Sequence, residues 1–585
     1  MNKTRTIILL IFITFLTFGN GLNNELVGDA KSFLEGGSFY KNPENFPRLF
    51  DQSFIMNPAG TDFAALTEEP VSGCISYRPV TALTFFADAF FWKEKAFGYH
   101  LTNVILHALA AVLLFLLVLR MAQNQGVALL AALLFAVHPV QLEVVNYIGY
   151  RSDLLMALFF ILAVLFYDAR VRTGKGKYFA AMCLAALVAL FAKETALTLP
   201  VVLMFYHHFF LPHQGIKSLL NKQKAVYLTL AGLCAFHLFI YFFVFPSGFY
   251  PKFLNYGLGW WQHAVLSLRI FYEYLLVLLL PFNVTLLPPL YAPAISPVPI
   301  LKIIAAAAFL LLSAVYFLSR ARKKNPVMAF GAAWFFITFL PGSNILPLPN
   351  PFAFRFLYLP SAGFMMAAAF LLHQATLYLK DKFVNKKWHV ILPSGVIALC
   401  MLTTLSYNEF LKNNITACRE MIRRYPDSTR PYWVLGLSYL DRGEKEQAAE
   451  YFLQCLKRDV NNPFLEQSKD DFLFYYFLSR CYPDGSPETV AHLKKSVTLR
   501  PDYLAGHLDL AKTFILRGDF QSALGAALRA IQLNETVAPG YVYAAHSLIE
   551  LNRKDEAAPY LNKAMQLAPE DANVQYLDAF YQSRE

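Results

Sequence analysis

Twelve mostly apolar runs of 15 to 22 residues fill the first 406 positions: 6–20, 99–119, 127–145, 152–168, 178–193, 195–211, 225–245, 263–280, 299–319, 327–341, 358–379 and 388–406. About 20 such residues cross hydrocarbon as a helix, because lipid offers the backbone N–H and C=O groups no partner outside the helix itself. The composition agrees with this pattern. With 56% hydrophobic and 16% charged residues, mean hydropathy +0.40 and 54 Phe in 585 residues, the chain cannot cover a globular surface with polar groups. A soluble enzyme is excluded, and an all-α, polytopic membrane bundle is predicted.

The charge balance orients the runs. Residues 1–407 carry 30 Lys+Arg and 16 Asp+Glu, a net of +14, while 408–585 carry 21 and 24, a net of −3; together they give the chain's +11. The basic excess gathers in five clusters: Lys3 and Arg5; Arg170, Arg172, Lys175 and Lys177; Lys217, Lys222 and Lys224; Arg320, Arg322, Lys323 and Lys324; and Lys380, Lys382, Lys386 and Lys387. Basic loops stay cytoplasmic, so the excess reports topology and not nucleic-acid binding. Threading all twelve runs puts the Arg320–Lys324 cluster, and everything after it, on the wrong side. Treating 263–280, which carries Arg269 and Glu273, as an interfacial or re-entrant segment restores every cluster. The expected topology is about eleven spans with the N-terminus inside.

Two large pieces then face the periplasm or lumen: the loop 22–97 and everything from 407 onwards. The expected domains are 1–406, a membrane bundle including that loop, and 407–585. The first run also fits a cleavable signal peptide, with a basic start, an apolar core and small residues at Gly19–Gly21. Cleavage would leave the tail on the same side. Seven Cys, at 74, 183, 234, 400, 418, 455 and 481, form no CxxC pair, so neither a zinc site nor a disulfide framework is supported.

The tail repeats. Tyr432, Leu435, Gly436, Tyr439, Gly443, Ala448 and Phe452 set a register that returns as His507, Leu510, Ala511, Phe514, Gly518, Ala523, Ala527 and Ala530. It returns again 34 residues later as Tyr541, Ala544, Ala545, Leu548, Asn552, Ala557, Leu561 and Ala564. A weaker copy runs from about Leu473 to Pro501, after an insertion near Asn461–Gln467. This is the period and small-residue pattern of tetratricopeptide repeats, an α-solenoid whose concave surface holds an extended peptide or serves self-association.

Acids are scarce where chemistry would sit. From 96 to 407 there are only Glu143, Asp153, Asp168, Glu194, Glu273 and Asp381. Asp168 and Asp381 adjoin basic clusters and read as snorkelled surface. Glu143 follows the helix-breaking His138-Pro139, with Arg151 and Asp153 close behind. Polar groups at such a break build either a membrane active site or a salt-bridged hairpin, Glu143 or Asp153 with Arg151. Lys193 and Glu194 occupy the next outward turn; as neighbours they do not face each other, so one must reach a partner elsewhere. The first loop adds Asp29 and Arg78. Cations that hold a phosphate and a carboxylate that takes a proton from a hydroxyl would suit displacement at a sugar anomeric carbon on a phosphate-bearing lipid.

Seven stretches, VGDAKSFL (27–34), KNPENFPRLF (41–50), SYRPVTALTFFADAFFW (76–92), FGYHLTNVILHALAA (97–111), FAVHPVQLEVVNYIGYRSDLL (135–155), AKETALTLP (192–200) and PGSNILPLPNPFAFRFLYLPSAGF (341–364), stand in this order before the repeats. With them the chain resembles the GT-C superfamily of polyprenyl-phosphate-sugar glycosyltransferases, and within it the membrane O-mannosyltransferase-like proteins with tetratricopeptide repeats. The resemblance implies inverting transfer of a sugar, such as mannose, from a polyprenyl-phosphate carrier to a hydroxyl of a protein or glycan acceptor on the outer face. It implies Asp29 as base, Glu143 and His138 shaping the catalytic site, and Arg78, Arg355, Lys193 and Arg151 near the donor phosphate. It further implies an acceptor protein held by the repeats, a chain integral to the membrane (bacterial inner or endoplasmic reticulum), and no bound nucleic acid. No cofactor is required by the motifs and no metal-ligand set is assigned, although a divalent cation is compatible with such chemistry. The chain departs from the family at Ala30, where a second acid is usual, and at Phe354, where Glu precedes the Arg of an ERYLYLPS-like motif. These departures keep a second hypothesis open, a catalytically degenerate membrane anchor whose repeats recruit periplasmic or luminal proteins. A transporter fits less well, because its polar sites belong at the midplane. A reporter fused after residue 585 is expected on the non-cytoplasmic side; a cytoplasmic signal would overturn the eleven-span topology.

Overall fold

The computed structural model describes residues 2–27, 39–50, 77–211, 221, 223–244, 260–282, 305–309, 312–313, 325–348, 352–382, 387–459 and 471–583. Asp29, with residues 28–38 and 51–76 of the first outer loop, lies outside these residues. Every regular element among them is helical. The chain divides into two compact units, the first reaching Ala417 and the second spanning Cys418–Glu585.

Six helices of the first unit are long and apolar enough to cross a membrane: Lys3–Gly21, Ala96–Ala122, Ile148–Thr173, Lys224–Val244, Phe354–Lys382 and Trp388–Phe410. A seventh arises if Gln125–Val137 and Pro139–Asn146, bent by 49° at His138, form one broken span. Pro79–Trp92, Gly176–Ala192 and Pro326–Gly342 are shorter apolar helices. The membrane bundle expected from the sequence is therefore present. The run read as 195–211 is divided, because a 3₁₀ turn at Glu194–Thr198 precedes a helix of only 12 residues, Leu199–Phe210. Helix Trp260–Leu279, expected to lie at an interface, turns Leu266, Ile270, Phe271 and Tyr274 into the core.

Local signals explain the joints. Helix Ala96–Ala122 ends at Gln123 in the left-handed region (φ 50°), and the Asn124 side chain accepts hydrogen bonds from the Gly126 and Val127 amides to start the next helix at once. Pro139 forces His138 out of helical geometry (φ −68°, ψ 132°), which makes the bend. Small residues let helices close on each other: a Cβ added at Gly331 would lie 2.6 Å from the Gly363 carbonyl oxygen, and Gly363 is pressed in the same way against the Gly331 carbonyl. His107 pins three elements, bonding the Tyr358 hydroxyl through Nδ1 at 2.8 Å and the Ala136 carbonyl through Nε2 at 3.2 Å. The first helix is part of the bundle, with Leu10 and Phe18 buried and the Asn408 amide donating to the Thr17 carbonyl and Asn20 Oδ1.

In the second unit, antiparallel helix pairs follow one another: Thr429–Asp441 with Lys445–Asp459, Asp471–Ser479 with Pro487–Leu499, Leu504–Leu516 with Phe520–Leu533, and Ala538–Glu550 with Lys554–Leu567, then Ala572–Ser583. The turns within the pairs hold Gly443, Gly485, Gly518 and Asn552 at φ 77°, 78°, 74° and 57°, so the repeat's glycine position is a left-handed turn that Asn also tolerates. Gly436 is required by closeness, since an added Cβ would strike the buried Phe452 ring.

Replacing Gly363 by Val is expected to force the two membrane helices apart and to lower stability by about 1–3 kcal/mol or more. Gly232→Ala, where an added Cβ meets nothing within 4 Å, is expected to be near neutral. Melting curves in detergent would measure both.

Candidate functional site

Breaks in the first unit's helices bring together four ion pairs. Arg78 precedes Pro79 and is held outside the helix it starts (φ −130°, ψ 67°). Its Nη2 donates to both carboxylate oxygens of Glu194, at 3.0 and 3.1 Å, and its Nη1 reaches Ser152 Oγ at 3.4 Å. Lys193 is extended (φ −160°, ψ 139°) between helix Gly176–Ala192 and the 3₁₀ turn, so it and Glu194 point apart. Lys193 Nζ donates to Asp153 at 2.7 and 2.8 Å, in a pair whose side chains are 5% and 4% exposed. Both neighbours thus have partners on other elements.

Glu143 and Arg355 form the third pair. Glu143 Oε2 accepts the Arg355 backbone amide at 2.8 Å and Oε1 accepts its Nη1 at 2.9 Å, so one carboxylate fixes both the 3₁₀ turn Phe354–Leu357 and the guanidinium it carries. Tyr274 secures the same turn, its hydroxyl accepting the Ala353 amide and donating to the Ala353 carbonyl. The guanidinium lies 4.4 Å over the Tyr150 ring and 5.1 Å over that of Phe356. Phe354 is buried beside Phe352, so this position faces apolar core.

The fourth pair joins Arg151 to Asp88 at 2.6 Å. Arg151 is wholly buried and also donates to Asn103 Oδ1, the Tyr99 carbonyl and Thr84. Its sequence-based place beside a donor phosphate is corrected: protein acceptors surround the guanidinium and leave it no open side. Neither Glu143 nor Asp153 pairs with Arg151, so the hairpin pairing expected as the alternative is not formed. His138 is likewise enclosed, its Nδ1 accepting the Val140 amide at 3.2 Å and its ring bonded to the Leu278 carbonyl. It shapes the bend after Val137.

Asp88 is the residue that sequence reading missed, although it is the lone charge of PVTALTFFADAFFW and its burial there required a cation. Asp168 is also corrected. It is 1% exposed rather than snorkelled, accepting from Arg172 Nε at 2.7 Å and the Tyr206 hydroxyl at 2.9 Å. It lies 15 residues from Asp153 on one helix, roughly 22 Å away at the bundle's opposite end.

Of the four pairs, two are sealed and two are open. Arg78 is 20% and Glu194 38% exposed, and Arg355 is 13% exposed. Burial alone would raise the Glu194 carboxyl, but Arg78 and Lys193 outweigh it and hold it down at about 2. Burial pushes the Lys193 ammonium down, against the pull of Asp153. Among the described residues, each of these carboxylates is committed to a guanidinium or ammonium, and no three His, Cys, Asp or Glu side chains gather, so a donor set for a divalent cation is not found there.

The tetratricopeptide repeat model matches residues 429–462 and 538–571. Curated relatives include the protein O-mannosyl-transferase F38B6.6 of Caenorhabditis elegans, 24% identical over 474 residues (78% of this chain, 63% of that one). The mouse protein O-mannosyl-transferase TMTC3 is 24% identical over 554 residues (86% and 58%). The human protein O-mannosyl-transferase TMTC1 is 35% identical over 154 residues (24% and 18%). The chain thus spans about three fifths of the length of the first two. Among solved structures, the archaeal oligosaccharyltransferase AglB of Archaeoglobus fulgidus aligns with TM-score 0.38 at 14% identity, covering 83% of this chain and 60% of that one.

Glu194 yields a pH signature. A carboxyl held below its ordinary value stabilises the fold above that value, and the contribution is lost as pH falls toward the folded-state pKa. Acid destabilisation of the wild type between pH 4.5 and about 2 is therefore expected to be smaller in Glu194→Gln. Melting temperature against pH for the two proteins checks this.

Proposed function

We propose that this chain is a membrane glycosyltransferase that moves a sugar, mannose by the names of its relatives, from a polyprenyl-phosphate carrier to a hydroxyl of a protein acceptor on the non-cytoplasmic face. The supporting observation is the half-open Arg78–Glu194 pair, set beside Arg355 and Lys193 where helix breaks meet. An oxygen-rich phosphate competes with Glu194 for the Arg78 fork, and Arg355, stacked between aromatic faces, presents a second planar donor. These cations stabilise the charge that develops on the phosphate as its bond to the anomeric carbon breaks. The acceptor hydroxyl oxygen forms the new bond from the opposite face, which inverts the configuration, and its proton passes to a carboxylate, assigned to Asp29. Arg151 with Asp88, and Glu143 under Arg355, hold the framework. The repeats hold the acceptor chain.

Phe354, apolar and buried where the family resemblance implies Glu, favours a second reading, a degenerate bundle anchoring a repeat scaffold. Transfer assays on membranes with equal protein levels separate the two. Arg78→Gln, Arg355→Gln and Asp29→Asn are each expected to lower transfer from a polyprenyl-phosphate sugar on the order of a hundredfold. Arg120→Gln, at an exposed site by Asp168, should leave it unchanged. Full activity in the three site variants would sink the catalytic assignment, and no transfer by the wild type with any lipid-linked sugar would favour the scaffold.

A further inference from the structure

Helix Lys224–Phe239 buries one polar ring that nothing in the proposed chemistry uses. His237 is 3% exposed, and neither Nδ1 nor Nε2 has a hydrogen-bond partner. A neutral imidazole carries one N–H donor and one acceptor, and enclosing both without partners is costly, so such a group in a native core calls for a reason. Its surroundings give one. The ring stands edge-on to Phe191 at 5.4 Å, and Phe191 stands edge-on to Tyr77 at 6.3 Å. Tyr77 directly precedes Arg78, and Phe191 lies two residues before Lys193. The helix then passes into a π-helical turn, Ile240–Val244, whose Ile240 and Val244 pack on Tyr77. Single π turns recur at functional sites. On the near side of Tyr77, Arg78 Nε is a second enclosed donor with no partner.

Two unpartnered donors therefore flank one aromatic patch beside the open ion pair. A phosphate that draws Arg78 away from Glu194 brings several anionic oxygens to this patch, where Arg78 Nε and the His237 ring N–H are donors without acceptors. We propose that His237 is a further donor-binding residue, giving its ring N–H to a phosphate oxygen of the ligand that engages Arg78. The sequence motifs do not point to it; the two unpartnered ring nitrogens do. The inference rests on the reading of Arg78 as a phosphate-binding residue, and the test keeps the two apart.

The purified full chain in detergent is titrated with a short-chain polyprenyl phosphate and with the matching prenol, using wild type, His237→Phe, His237→Gln and Arg78→Gln, each with its melting temperature. In His237→Phe, Kd for the polyprenyl phosphate is expected to rise roughly tenfold, prenol binding to stay unchanged, and the melting temperature to increase by about 2–4 °C as an unpaired polar ring leaves the core. His237→Gln, which keeps a donor, should retain part of the affinity. Competition by inorganic phosphate would identify free phosphate as the source of the oxygen, and its absence the lipid-linked group; both agree with the contact. An unchanged Kd in His237→Phe, with Arg78→Gln weakened, overturns the role of His237 and leaves the proposed function standing. Equal losses for prenol and polyprenyl phosphate, with a lowered melting temperature, make His237 a packing residue and overturn it as well. If the wild type binds no polyprenyl phosphate, both readings fall.

Discussion

A charge enclosed in an apolar helical bundle must find its opposite, and the first unit is organised around that requirement. Breaking one buried pair while leaving its partner in place costs about 3–5 kcal/mol, far more than an exposed pair contributes. Each pair here joins a helix start or break to another element: Arg78 to Glu194, Lys193 to Asp153, Arg355 to Glu143, and Arg151 to Asp88. The polar cluster thus aligns the ends of helices whose long apolar faces have little to set their register.

The same pairs divide the labour of the site. Arg151 with Asp88 and Lys193 with Asp153 are closed on all sides and act as fixed posts. Arg78 with Glu194 and Arg355 with Glu143 keep one side open, so their cations can exchange protein oxygens for those of a ligand. Glu143 shows how the exchange can occur without loss of shape, because its bond to the Arg355 backbone amide does not depend on where the guanidinium points. At the far end of helix Arg151–Thr173, Asp168 repeats the principle with Arg172 and Tyr206.

How much was legible beforehand varied with the kind of signal. The apolar runs and the repeat register were readable because they are periodic: Gly443, Gly518 and Asn552 recur at one place and fold as left-handed turns. The break at His138-Pro139 was readable because proline constrains its neighbour. Asp88 was not legible because it stands in the loop before the run 99–119, where a lone acid is ordinarily solvated. Arg151 was assigned to the phosphate because spacing along a chain does not tell which of several carboxylates a guanidinium meets.

By itself the sequence determined an all-α membrane bundle followed by a helical repeat unit, and the short set of charged residues that any site must use. Hydropathy and local dihedral preference are properties of neighbouring residues, and they survive in one dimension. Only the tertiary structure decided that Arg151 turns inward to Asp88, that Arg78 and Arg355 stay open, and that His237 stands unpartnered against Phe191. Pairing depends on distances between residues as far apart as Glu143 and Arg355, and those exist only once the helices have packed.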